Sequence, residues 1–88
     1  MIMKDGSLKF FDIPEDISWS EVRARVESLE DAQITEILTD LFTEYWLDFS
    51  FREHQFTIHC AWHGTWFFVK NPLCPLETLK TIEKHFSE

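Results

Sequence analysis

Apolar residues recur along this chain with two periods, and the change between them marks the predicted elements. Leu8-Lys9-Phe10-Phe11-Asp12-Ile13 is rich in aromatic and branched side chains and is closed by Pro14, which predicts a short first strand. Ser18 followed by Glu21 fits a capping box, in which hydroxyl and carboxylate satisfy two orphaned backbone N–H groups. Trp19, Val22, Val26 and Leu29 then recur at three- and four-residue spacing, predicting a helix with one stripe turned to a core.

Residues 31–44 carry both periods. Ile34, Ile37, Leu38, Leu41 and Phe42 follow the helical pattern with Glu36, Asp40 and Glu44 on the far side, whereas Ile37, Thr39, Leu41 and Thr43 alternate. A second helix is the favoured reading, with an extended segment over 33–39 as the alternative. From Tyr45 the alternation is plain: Tyr45, Leu47, Phe49 and Phe51, then Phe56, Ile58, Cys60 and Trp62. Arg52-Glu53-His54-Gln55 reads as a four-residue turn and His63-Gly64 as a two-residue turn, with Thr65 to Lys70 as the next strand. Asn71-Pro72-Leu73-Cys74-Pro75 stops the sheet, and Leu76, Leu79, Ile82 and Phe86 place a stripe on a final helix. The expected architecture is a single α+β domain over residues 1–88. It combines a three-stranded antiparallel meander (45–70), an N-terminal strand and two or three helices, in a ferredoxin-like two-layer arrangement.

Counting outward from those turns sets a register. One face collects Phe51 with Phe56, Phe49 with Ile58 and Val69, Leu47 with Cys60 and Phe67, and Tyr45 with Trp62 and Thr65, which makes it the core face. The other collects Ser50 with Thr57 and Lys70, Asp48 with His59 and Phe68, and Trp46 with Ala61 and Trp66. Aromatic residues on a face expected to be polar call for a cover. The candidates are the 31–44 helix, a second copy of the chain, or a ligand or protein partner.

Charge narrows the class of partner. The 88 residues hold 16 acids and 8 bases, a net charge of -8, which argues against nucleic acid because affinity for a polyanion comes mainly from Lys and Arg. The excess sits in residues 12–48, where eleven acids face only Arg23 and Arg25. Glu27, Glu30, Asp31, Glu36, Asp40 and Glu44, read as lying on helix faces and helix ends, form a candidate docking surface for a basic protein, as in an inhibitor or immunity protein. The aromatic content excludes a disordered acidic chain. The longest run without an acid or base, Gln55 to Val69, is too short and too polar for a membrane span. The first six residues lack a secretory h-region, and the expected compartment is the cytoplasm, with Cys60 and Cys74 as reduced buried thiols.

Catalytic chemistry finds little to work with. Asp48 and His59, expected to be cross-strand neighbours, resemble the orienting half of an acid–base pair, but no nucleophile stands beside them and an ordinary cross-strand hydrogen bond explains both. His59-Cys60-Ala61-Trp62-His63 looks rich in metal ligands. On a strand, however, Cys60 points away from His59, and residues four apart lie about 13 Å from each other, too far for one zinc. No metal, cofactor or catalytic residue is therefore assigned. The leading expectation is a small acidic non-enzymatic interaction protein, homodimeric through Trp46, Trp66 and Phe68 on the sheet face whose candidate binding residues also include Asp48 and His59. A small-ligand module on Asp48, His59 and Trp66 is the alternative.

Overall fold

A computed structural model describes residues 7–15, 17–39, 44–61 and 64–87 of the chain. Five strands and two helices follow one another as β1 (Leu8–Ile13), α1 (Trp19–Glu27), β2 (Ala32–Thr39), β3 (Tyr45–Phe51), β4 (His54–Ala61), β5 (Gly64–Val69) and α2 (Leu76–Ser87). The strands form one sheet in the order β1-β5-β4-β3-β2, with β4 at its centre. All four pairings are antiparallel. The class is α+β. A ferredoxin-like split βαβ inserts one antiparallel strand between its two parallel strands, whereas here β1 and β2, joined through α1, run parallel at opposite edges with three strands between them.

The favoured helix over 31–44 is corrected to a strand over Ala32–Thr39, and the cause is a β-bulge. Ile34 pairs with Phe49 and Ile37 with Leu47, yet Glu36 pairs with Asp48, so Thr35 is the extra residue. The bulge lets Ile34 and Ile37, three apart, face the same side. A period of two interrupted once imitates a helical spacing. Asp40, Leu41, Phe42 and Thr43 lie outside the described residues.

The turns also differ from expectation. Arg52 and Glu53 alone connect β3 to β4, both with positive φ (51° and 67°), the pair of conformations that suits a two-residue hairpin. Neither is Gly or Asn, so no turn signature announced them; the Arg52 guanidinium lies 4.8 Å from the Phe51 ring centroid, which helps hold the turn. Phe51 therefore pairs with His54, Phe49 with Phe56 and Leu47 with Ile58. In the next hairpin the last pair is Ala61 with Gly64, then Cys60 with Thr65 and Ile58 with Phe67. Both registers are displaced by two from those expected, which keeps every side chain on its face but changes its neighbours. Trp62 and His63, placed in the core row and the turn, lie outside the described residues. Gly64 is a strand residue with φ of 139°, and a Cβ there would stand 2.7 Å from the Ile13 carbonyl oxygen, so close approach of β1 requires glycine.

Helix α1 opens where the sequence places it, the Ser18 hydroxyl accepting from the Glu21 backbone N–H at 3.3 Å. Its buried side chains are Val22 and Val26, while Trp19 is exposed. Helix α2 buries Thr78, Ile82 and Phe86 and leaves Leu76 exposed. Both helices pack on one face of the sheet, where Val22, Val26, Ile82 and Phe86 join Leu47, Phe49, Phe56, Ile58 and Phe67 in a continuous core. Polar contacts fix the connections around it. The Tyr45 hydroxyl donates to the Ile17 carbonyl (2.8 Å) and the Thr65 hydroxyl to the Glu15 carbonyl (2.9 Å), tying the β1–α1 segment to the sheet. His85 Nε2 donates to the Arg25 carbonyl at 2.8 Å, and so joins α2 to the last turn of α1.

Candidate functional site: the open face of the sheet

Alternation along five strands builds the second face. One row across the sheet runs Asp12, Trp66, His59, Trp46 and Leu38, from β1 to β2. The adjacent row runs Lys9, Phe68, Thr57, Asp48 and Glu36. Residues 32–39 do not roof this face as a helix, because they form the edge strand β2 of the same sheet.

The aromatic row is held by lateral contacts. Trp46 and His59 stack with ring centroids 3.5 Å apart and planes 4° from parallel. His59 meets Trp66 edge-on at 6.3 Å, and Trp66 meets Phe68 at 6.5 Å. Lys9 Nζ stands 4.7 Å from the Trp66 ring centroid and 3.9 Å from an Asp12 carboxylate oxygen. His59 Nε2 lies 3.1 Å from Glu44 Oε1, and the Thr57 hydroxyl donates to Asp48 Oδ1 at 2.7 Å. Trp46, Asp48, His59 and Trp66 are half-buried, Leu38 is 55% exposed, and Phe68 is only 1% exposed.

Three expectations change here. Asp48 and His59 are not opposite one another: Asp48 faces Thr57, and His59 faces Trp46. The carboxylate on His59 belongs to Glu44, a residue the favoured helix had assigned to its polar side. The signal that finds it is parity, since Glu44, Trp46, Asp48 and Ser50 alternate onto the same face once 44–51 is read as extended. Phe68 shares this face but is already buried within the chain, so it supports the row from within and offers almost no surface.

The acidic residues do not form one helical surface. Helix α1 carries Glu21 and Glu27 against Arg23 and Arg25, and Glu27 lies 3.5 Å from Arg23 in an exposed pair worth at most about 1 kcal/mol. Glu30 and Asp31 stand exposed in the turn after α1, and Glu36 is exposed on β2. Glu36 and Glu44 thus join Asp48 at the β2–β3 end of the open face, and Asp40 lies outside the described residues. Both cysteines are free and buried, Cys60 in the core; burial pushes the Cys74 thiol above its ordinary pKa, which disfavours the thiolate. Among the described residues no three His, Cys, Asp or Glu side chains converge as metal ligands, and no helix is long and apolar enough to cross a membrane. No family model matches the chain, and neither a curated protein nor a solved structure matches it.

Proposed function

We propose that this chain is a non-enzymatic protein-interaction module whose working surface is the open face of its sheet. The observation that carries the reading is the row Trp66–His59–Trp46–Leu38, which holds half-buried and exposed apolar side chains on the face opposite both helices. Large aromatics are enriched at the centres of protein interfaces because they bury much area at low conformational cost. The lateral stacks and hydrogen bonds organise that surface before any partner arrives, which lowers the ordering cost of binding. The polar groups are occupied in the same sense: the Thr57 hydroxyl donates to Asp48 and His59 Nε2 lies against Glu44, so neither pair sets an imidazole on a hydroxyl nucleophile. Two free buried thiols suit a reducing compartment such as the cytoplasm.

Sedimentation velocity of the labelled full-length chain tests the reading, run alone and in an extract of its source cells, beside Trp66→Glu. The wild type should sediment as a complex in at least one of the two settings, and Trp66→Glu should lose that complex while keeping its far-ultraviolet dichroism. Identical sedimentation of the two proteins as 10.6 kDa monomers in both settings would overturn it.

A further inference from the structure

Charge is distributed unequally across the open face, and we propose that this inequality selects the occupant and its orientation: a second copy of the chain, related by a two-fold axis that runs parallel to β4. The inference rests on the reading of this face as an interaction surface. The β1 side of the face carries Lys9 with Asp12 3.9 Å away, and Lys70, which follows β5, continues the same alternation, so that side is positive on balance; the β2–β3 side carries Glu36, Asp48 and Glu44.

Two sheets packed face to face in a symmetric dimer need a two-fold axis in the plane between them. There are two simple choices. An axis perpendicular to the strands sets each strand on its own copy, so the β2–β3 side with Glu36, Asp48 and Glu44 would lie over the same acidic side of its partner. Like charges are then brought together along that side, which disfavours the arrangement. An axis along the strands inverts the sheet order and sets the β1 edge over the partner's β2 edge. Lys9 then meets the partner's Glu36 within the same row, and Trp66 meets the partner's Trp46 in the next. Because β4 is the middle strand of five, an axis along it superimposes the whole width of one face on the other. Aligned sheet packing crosses the strands at about 30°, which shifts the Lys9–Glu36 edge contact by about 5 Å, within the reach of those two side chains, and the Trp66–Trp46 contact by about half as much.

The area is adequate. Five strands at about 4.8 Å spacing and about six residues at about 3.3 Å rise span roughly 480 Å² of projected surface. Two such faces bury about 1,000 Å², the lower bound of a stable interface. Lys9 and Glu36 stand on opposite edges of the same sheet and do not contact each other within one chain. Any energetic coupling between them must pass between copies.

Sedimentation equilibrium of the full chain at tens of micromolar provides the test, with Lys9→Glu, Glu36→Lys, the double variant K9E/E36K, and an equimolar mixture of the two single variants. The wild type should weigh twice the 10.6 kDa chain. Each single variant should dimerise at least about tenfold more weakly, since it creates two like-charge contacts per dimer. The double variant and the mixture should both recover wild-type association, the mixture as a heterodimer, in which every contact again joins opposite charges. The mixture also guards against a folding defect, because misfolded single variants would not rescue each other. Dimers whose single variants are not rescued in either format would overturn the proposed axis. A wild-type monomer that still forms a Trp66-dependent complex in extract would overturn the second copy and leave the interaction surface standing.

Discussion

Residues 66 and 67 are neighbours in one strand and belong to two different kinds of surface. Phe67 points into the core, 1% exposed, with Phe86 of α2 at 4.8 Å and Phe11 at 5.1 Å between ring centroids. Trp66 points to the other face, half-buried, held by Lys9 from above and His59 from the side. The core face is stabilised by a second layer, since both helices lay their buried stripes on it. Among the described residues the open face is held by contacts within the sheet: the Trp46–His59 stack, the contacts of Trp66 with His59, Phe68 and Lys9, and two carboxylate hydrogen bonds. Such contacts contribute about 0.5–1.5 kcal/mol each, against about 2 kcal/mol or more for burying a whole aromatic side chain. The core face therefore supports the fold, and the open face is free to be shaped for recognition.

That contrast can be broken first at its strong side. Phe67→Ala should cost about 3–5 kcal/mol in urea denaturation, since it opens a cavity between α2 and the sheet. Gly64→Ala should follow at about 1–3 kcal/mol, because the new Cβ meets the Ile13 carbonyl at 2.7 Å where φ is 139°. Trp66→Ala, measured at concentrations dilute enough to keep the chain monomeric, should cost about 1–1.5 kcal/mol, well below its sequence neighbour. Equal losses at 66 and 67 would abolish the distinction between the faces. Thr57→Val should be the mildest at about 0.5–1 kcal/mol, since it removes the hydroxyl that donates to Asp48 and leaves that half-buried carboxylate to water.

Face assignment was legible from alternation alone, and neighbour assignment was not. Tyr45 to Phe51 and Thr65 to Val69 keep a strict period of two, so each side chain's face follows from parity whatever the turn length. Register depends on the turns, and Arg52-Glu53 adopts a hairpin conformation with residues that give no turn signal. The two-residue displacement replaced the expected Asp48–His59 pair by Asp48–Thr57 and Trp46–His59. Strand β2 was hidden for a different reason, because the Thr35 bulge spaces Ile34 and Ile37 as a helix would. The same misreading concealed Glu44, which holds His59. The burial of Phe68 had no local signal, since its parity matches that of Trp66.

Molar mass in solution bears most directly on the open face as a surface made for a second copy. Sedimentation equilibrium of the unmodified chain should return twice 10.6 kDa at tens of micromolar, falling to the single-chain mass for Trp66→Glu with the dichroism unchanged. A wild type that remains at 10.6 kDa across that range would contradict the account.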